Sequence, residues 1–374
     1  MVFFETLRDD LLALGFTQSV RDRALFISPD GSLFVLIYAD DIIRCGNASP
    51  LRFKLDNLLA TRHGNCPFDD AANLHIGFHF VRDRAAGTID VDLCGCIDSM
   101  LDRFGHADCN PVATPMPPST VLPTHSENSV GPIYAELCGS LLYLARLGRP
   151  DIQYAVQVLT RHMRTPGDIH LQAAHRVLRY LRGSRNYVLR YGANVNPSLT
   201  VDGDTSVGMP RSAFTGYVDA GYAGDDPVAS RSVSGVLIKR WGGWIESYSV
   251  LQKTTATSSV HSEFLALYHY CCSLIHLREL GAEVGIDISL PTPTYEDNAP
   301  SINWSNTRTV RNAQKHIRTK YFFVQDCCDG ADADLQLIKI ASPSQPSDIL
   351  TKATSSVLLD RHLPVFGMVR RPSP

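Results

Sequence analysis

Four acidic residues in the C-terminal half of the chain have types and positions suited to metal-assisted chemistry. Asp219 lies inside a predicted strand, Glu263 opens a long predicted helix, Asp297 follows a short strand, and Asp348 begins the last helix. An unpaired carboxylate buried in a strand is costly, so Asp219 needs a cation or a donor. Hard cations such as Mg²⁺ take oxygen ligands. Two such ions activate water and stabilise the leaving oxygen in phosphodiester hydrolysis, which is the chemistry that this set predicts.

Each of these residues also has a simpler interpretation. Glu263 and Asp348 could favour a helix N-terminus, an effect of ~0.3–1 kcal/mol each. Asp297 and Asn298 could form a turn, and Asp219 could be part of a salt bridge. Taken singly, the structural interpretation is preferred for each residue. Only the four together indicate carboxylates that converge from strand ends and helix starts.

The elements that must position these residues lie in segment 206–374, where strands and helices alternate. Predicted strands cover Phe214–Ala220, Gly235–Arg240, Trp244–Leu251, Pro293–Glu296 and Leu335–Ala341, and predicted helices cover Ser262–Val284 and Lys315–Cys327. Three strands in succession, a helix and then alternation predict an α/β (α+β) domain with a mixed sheet and helices packed on it.

Segment 119–205 has helical periodicity and a concentration of arginine. Apolar spacing predicts helices over Ile133–Leu147, Asp151–Met163 and Asp168–Gly183. Nine arginines and no lysine lie between Arg146 and Arg190, against only two acidic residues. The spacing of Arg176, Arg179 and Arg182 places them on roughly one helix face. Either this face is simply solvated, or it follows the phosphates of a nucleic acid.

Segment 1–118 alternates helical and strand patterns. A helix is predicted from Phe3 to Gly15, and Leu33–Tyr38 is a buried-strand pattern that leads to Asp40 and Asp41. An isolated aspartate pair of this kind most often marks a turn or a solvated hairpin tip. A proline-rich stretch near Pro111 ends the segment and predicts a linker.

Bulk properties set few limits on function. The chain has 374 residues, long enough for two or three domains, and a formal net charge of −3, which does not exclude nucleic acid as a partner. Its ten cysteines have no zinc-finger spacing, so reduced thiols are expected. No secretory signal follows Met1, and no apolar run reaches the ~18 residues of a membrane span. We therefore expect an intracellular protein that is neither secreted nor in a membrane.

A series of short motifs occurs in one order along the chain and carries a family resemblance. The C-terminal motifs are Tyr217-Val-Asp-Ala-Gly-Tyr-Ala-Gly224, Arg231-Ser-Val-Ser-Gly235, Ser258-Ser-Val-His-Ser-Glu-Phe-Leu-Ala-Leu267, Glu296-Asp-Asn298, Lys315-His-Ile317 and Ser347-Asp-Ile-Leu-Thr-Lys352. Upstream motifs are Tyr38-Ala-Asp-Asp41, Val112-Ala-Thr-Pro-Met116, Gly139-Ser-Leu-Leu-Tyr143, Arg149-Pro-Asp-Ile152 and Arg176-Val-Leu-Arg-Tyr-Leu-Arg-Gly183. This order resembles the C-terminal part of copia-type retrotransposon Pol polyproteins.

The resemblance implies three parts, namely a truncated reverse-transcriptase palm in 1–118, a helical connection in 119–205 and a ribonuclease H-like domain in 206–374. The last implies a five-stranded mixed sheet flanked by helices. The motifs match Asp219, Glu263, Asp297 and Asp348 to the catalytic, metal-binding acids, which would hold two Mg²⁺ ions, with Mn²⁺ as a substitute. The implied reaction is cleavage of the RNA strand of an RNA–DNA hybrid, which leaves a 3′-hydroxyl, with strand choice based on the 2′-hydroxyl.

The resemblance also bears on polymerase activity, partners and location. Asp40 and Asp41 match a polymerase metal pair, but nucleotide transfer needs a further palm aspartate that has no counterpart in this sequence. We therefore expect no DNA synthesis by this chain. Implied partners are nucleic acid, a second copy or other polyprotein parts, in a cytoplasmic particle or the nucleus. The alternative is a catalytically inactive or domesticated remnant that only binds nucleic acid through Arg176, Arg179 and Arg182.

Overall fold

The computed structural model describes residues 2–39, 41–47, 49–63, 74–75, 77–124, 130–192, 214–223, 230–307, 318–330 and 333–371. The chain divides into two compact units, residues 1–72 with 273–290, and residues 73–272 with 291–374. Packing defines these units, whereas motif content defines the three predicted segments. The division into 1–118, 119–205 and 206–374 therefore stays a prediction.

The first unit combines an antiparallel sheet and two helices from residues 1–72 with residues 273–290, which include the end of a long helix. Its elements are α1 (Val2–Ala13), β1 (Thr17–Gln18), β2 (Leu25–Ile27), β3 (Leu33–Tyr38), β4 (Asp41–Gly46) and α2 (Pro50–Arg62). The strands lie in the order β1-β2-β3-β4. Alternate residues of β3, beginning with Leu33 and Val35, pack in one core with Leu7 and Leu55 of the helices. The predicted helix and strand of this segment are both found.

The second unit contains a five-stranded mixed sheet. Its strands are β9 (Thr215–Gly221), β10 (Val233–Arg240), β11 (Gly243–Leu251), β12 (Thr292–Glu296) and β13 (Leu335–Lys339). They lie in the order β11-β10-β9-β12-β13. The pairs β9–β10 and β10–β11 are antiparallel, while β9–β12 and β12–β13 are parallel. The predicted ribonuclease H-like sheet is confirmed.

Helices flank this sheet close to the predicted positions. They are α7 (Ser259–Glu283), α8 (Ala299–Ser305), α9 (Arg318–Cys328), α10 (Asp348–Thr351) and α11 (Ser356–His362). The Asn298 side chain caps α8, and a proline occupies its first turn. Asp348 opens a one-turn helix and not the last helix, because α11 follows it. Residues 315–317 of the predicted helix Lys315–Cys327 lie outside the described residues.

A second sheet in this unit was not predicted. It consists of β5 (Leu74–His75), β6 (Phe78–Asp83), β7 (Thr88–Asp92), β8 (Tyr187–Gly192) and β14 (Met368–Arg370). The order is β14-β8-β7-β6-β5, with all pairs antiparallel. The connection is therefore not purely helical, since β8 follows its last helix. The partners of β8 lie far away in sequence on both sides, so local periodicity could not identify the sheet.

The connection helices pack in the same core as the mixed sheet. They are α4 (Gly131–Leu147), α5 (Gln153–Thr160) and α6 (Asp168–Gly183), and α3 (Cys94–Arg103) of the preceding segment packs with them. One buried cluster includes Leu141 and Leu178 of these helices together with Tyr217 and Leu237 of the sheet. Among the described residues, no helix is long and apolar enough to cross a membrane.

Candidate metal centre

Three of the four predicted acids meet where two parallel strands separate. Strands β9 and β12 pair only at Thr294–Gly216 and Tyr295–Tyr217. Beyond that point the strands diverge. Asp219, Glu263 and Asp297 each place a carboxylate oxygen there, and these atoms lie within 4.8 Å of one another. The carboxyl ends of neighbouring parallel strands form a crevice at which sites commonly lie.

Asp219 is the most constrained of these carboxylates. Its side chain is buried, and the Thr351 hydroxyl donates a hydrogen bond to its Oδ2. Burial and the neighbouring Asp348 raise the pKa of Asp219 to about 7. Asp348 therefore lies beside Asp219, outside the group of three. Burial also raises the pKa of Asp348, and the Lys352 ammonium, 2.8 Å from its Oδ1, opposes that shift.

Glu263 lies one turn into α7, which begins at Ser259, and faces the crevice from the helix layer. The backbone N–H of Ala220 donates to its carboxylate. Its Oε2 is buried and has no hydrogen-bond partner among the residues that the structure describes. Burial, followed by the charges of Glu296 and Asp219, raises the pKa of Glu263 well above its usual value. The carboxylate thus has an open coordination position inside the protein.

Glu296 is a further buried carboxylate that the sequence reasoning did not single out. It is fully buried, and its Oε1 accepts from the Asn298 N–H at 2.9 Å. Its Oε2 has no hydrogen-bond partner within the described ranges. Burial raises its pKa well above the usual value, and Asp219 and Asp297 add to the shift. The signal available beforehand was a charged residue at the end of an otherwise buried strand, directly before Asp297.

A buried glutamine holds the two diverging strands together at the site. Gln345 is fully buried, and its Nε2 donates to the Val218 carbonyl at 2.9 Å and to the Tyr295 carbonyl at 3.4 Å. Val218 directly precedes Asp219 on β9, and Tyr295 lies two residues before Asp297. The glutamine thereby fixes the separation of the strand ends that carry both acids.

The donor set fits a hard divalent cation. The carboxylates of Asp219, Glu263 and Asp297 lie close together, and a buried oxygen of Glu263 has no hydrogen-bond partner in the described part of the chain. Burial raises the pKa values of Asp219 and Glu263, and repulsion from neighbouring carboxylates adds to both shifts. A divalent cation would reduce this repulsion and could be coordinated by Oε2 of Glu263.

Of Asp40 and Asp41, the predicted polymerase metal pair, the structure describes only Asp41, which is not part of this buried cluster. Asp41 is exposed at the start of β4, and its cross-strand partner in the β3–β4 hairpin is Tyr38. Asp40 lies outside the described residues. Within the part of the chain that the structure describes, no group of three metal-binding side chains includes Asp41. The polymerase assignment stays a prediction.

Two of the three predicted nucleic-acid-binding arginines make contacts within the protein. Arg176 Nη2 donates to Thr114 Oγ1 at 3.1 Å, and Arg179 Nε donates to the Asn110 carbonyl at 2.8 Å. Both fasten the proline-rich segment to α6. All three, including Arg182, are partly exposed, so their binding of nucleic acid stays a prediction.

Known proteins similar in sequence to this chain include Pol polyproteins of plant transposons. The retrovirus-related Pol polyprotein from transposon RE1 of Arabidopsis thaliana is 29% identical over 376 residues, which are 99% of this chain. The Pol polyprotein from transposon TNT 1-94 of Nicotiana tabacum is 29% identical over 335 residues, or 87% of this chain. The chain spans 24% of the length of each.

Other comparisons cover smaller parts of the chain. Secreted RxLR effector protein 161 of Plasmopara viticola is 37% identical over 134 residues, which are 36% of this chain and 83% of that protein. The solved structure of LC11-RNase H1, isolated from compost, is 15% identical and covers 41% of this chain and 99% of its own, with a TM-score of 0.29. At that score, the fold assignment depends on the strand order instead. No protein-family model matches.

The agreement of motif order, strand order and alignment over nearly the whole length leads to one conclusion. This chain is a homologue of copia-type retrotransposon Pol polyproteins.

Proposed function

We propose that the C-terminal part of this chain is a metal-dependent ribonuclease H that hydrolyses the RNA strand of RNA–DNA hybrids. The observation that carries the proposal is the convergence of Asp219, Glu263 and Asp297, whose oxygens lie within 4.8 Å of one another. The homology to Pol polyproteins supports the same reaction class. The chemistry of the donor set favours Mg²⁺, with Mn²⁺ as a substitute.

The chain's own residues would hold and orient the reacting groups. Asp219, Glu263, Asp297 and Asp348 would bind two divalent ions, which lower the pKa of a water and stabilise the leaving oxygen. Thr351 orients Asp219, and the Ala220 N–H holds Glu263. In the reaction, a water oxygen bonds to phosphorus while the bond to the 3′ oxygen breaks. The products carry a 3′-hydroxyl and a 5′-phosphate.

A surface suited to contact the hybrid combines aromatic side chains of α7, the helix that carries Glu263, with lysines of neighbouring segments. The Lys320 ammonium lies 4.7 Å from the ring centroid of Tyr268, whose ring centroid is 5.4 Å from that of His269. Lys253 and Lys320 both act electrostatically on His269. We propose that this surface contacts phosphates, since unneutralised cations are the usual means of backbone binding.

The test is cleavage of a labelled RNA–DNA hybrid by the purified chain in Mg²⁺. We expect RNA-strand cleavage that EDTA abolishes and that Asp297→Asn reduces at least about 100-fold, because a lost ligand removes metal activation of the water. Asp287→Asn, an exposed aspartate outside the cluster, is the matched control and should retain wild-type activity. Hybrid binding without cleavage by folded wild type would contradict the proposal and favour the binding-only alternative.

A further inference from the structure

We infer that Thr351 is a positioning residue that fixes the carboxylate of Asp219 for metal binding; the inference rests on the proposed function. Thr351 is 1% exposed, and its Oγ1 donates to Asp219 Oδ2. Thr351 Oγ1 also lies 3.2 Å from the carbonyl oxygen of Asp348. The hydroxyl thus links the strand that carries Asp219 to the helix that Asp348 opens.

Two glycines bring Thr351 into this position. A Cβ added at Gly235 would lie 2.6 Å from Thr351 Cγ2 and 2.9 Å from the Ser347 carbonyl oxygen. A Cβ added at Gly221 would lie 2.8 Å from the Thr351 carbonyl oxygen. Gly235 is also the cross-strand partner of Asp219. Helix α10 therefore packs directly on the backbone of β9 and β10. This contact gives the Thr351 hydroxyl a defined location beside Asp219.

Asp219 needs an orienting donor because of its surroundings. Its carboxylate is buried next to Asp348 and shares the crevice with Glu263 and Asp297. Repulsion among these groups favours side-chain torsions that turn the oxygens apart. A hydrogen bond to Oδ2 opposes that rotation and leaves the other oxygen in place for a cation. Partners of this kind commonly change metal affinity or activity by about 10–100-fold when removed.

The experiment compares two kinds of substitution in the full chain. Thr351→Val keeps the shape and removes the hydroxyl, whereas Thr351→Ser keeps the hydroxyl. Thr351→Ala is a second hydroxyl-free variant in case valine prevents folding. Thr294→Val is the matched control, because Thr294 is fully buried and its hydroxyl is hydrogen-bonded to the Tyr270 hydroxyl at 2.7 Å and the Thr292 carbonyl at 3.2 Å, which are not carboxylates. Mn²⁺ affinity is measured by titration calorimetry, with a thermal melt of each variant.

We expect Thr351→Val and Thr351→Ala to weaken Mn²⁺ affinity about 10-fold or more, in the range for lost orienting partners. Thr351→Ser should stay close to wild type, and Thr294→Val should lose stability but not Mn²⁺ affinity. Unchanged Mn²⁺ affinity in the hydroxyl-free variants would overturn the inference, as would an equal loss in Thr294→Val.

The inference and the proposed function can fail separately. If wild type binds Mn²⁺ and does not cleave the hybrid, the proposed function fails, while the comparison of Thr351 variants still supports or overturns the inference. If wild type binds no Mn²⁺ at millimolar concentration, the inference is overturned as well. If hybrid cleavage is intact and only the Mg²⁺ concentration dependence shifts in Thr351→Val, the inference is supported.

Discussion

At Glu296, burial and neighbouring charge act in the same direction. Its carboxyl group is fully buried, and one of its oxygens has no hydrogen-bond partner among the described residues. Its pKa is raised well above the usual value, first by burial and then by Asp219 and Asp297. A carboxyl group of this kind favours the folded state when protonated. The contribution of the protonated group to the free energy of unfolding is present at low pH. It is lost as the pH rises through the folded-state pKa.

We therefore expect Glu296→Gln to be more stable than wild type at about pH 8 without metal. Its free energy of unfolding should be higher by roughly 1–3 kcal/mol, the range for a buried unpartnered group. At about pH 5 the two proteins should melt alike, because the wild-type group is then protonated. Melts in EDTA at both pH values measure the difference. The exposed Glu5→Gln is the control, and a difference that does not grow with pH would refute the prediction.

At the element scale, contact between α10 and the sheet depends on Gly235. Glycine is required there by space and not by backbone angle, since a Cβ would meet Thr351 Cγ2 at 2.6 Å. We expect Gly235→Ala to destabilise the fold by about 1–3 kcal/mol, as overpacking commonly does. It should also weaken Mn²⁺ binding by displacing Thr351 and Asp348.

Thr351→Ser should partly rescue Gly235→Ala, because serine lacks the Cγ2 that the new methyl group meets. The Ser347 carbonyl oxygen, 2.9 Å from the position of the new methyl group, prevents full rescue. A double-mutant cycle on urea unfolding checks this. Strictly additive effects would show that the two positions do not interact, contrary to the expected contact.

At the scale of the second unit, the connection helices and the mixed sheet are one packed body. Gln153 of α5 donates to the Ser247 carbonyl of β11 at 3.1 Å, and its Oε1 accepts from Ser247 Oγ at 2.9 Å. Leu237 and Trp244 of the sheet belong to the same buried cluster as Leu141 and Leu178 of the helices. Removal of the connection would expose this apolar surface to water.

We expect the fragment 206–374, produced alone, to lack a cooperative thermal transition and to aggregate, because it loses the helices that cover its sheet. The fragment 73–374 is the control and should melt cooperatively, since it retains the whole second unit. Circular dichroism melts and light scattering distinguish the two. A cooperative melt of 206–374 near that of 73–374 would show that the connection is dispensable for folding.

Local side-chain patterns were sufficient to predict many of the helices and strands and to propose the acids of the site. Apolar periodicity located α1, β3, α4, α6, β9 and β13, because side-chain spacing reports directly on helix or strand. Motif order assigned Asp219, Glu263, Asp297 and Asp348. The tertiary structure alone decided which acids meet, that Glu296 is buried beside them, and that Thr351 and Gln345 orient the site. It also decided the second sheet, whose strands pair across long stretches of chain. Such contacts depend on pairing and close approach between distant segments, which leave no local periodicity in the sequence.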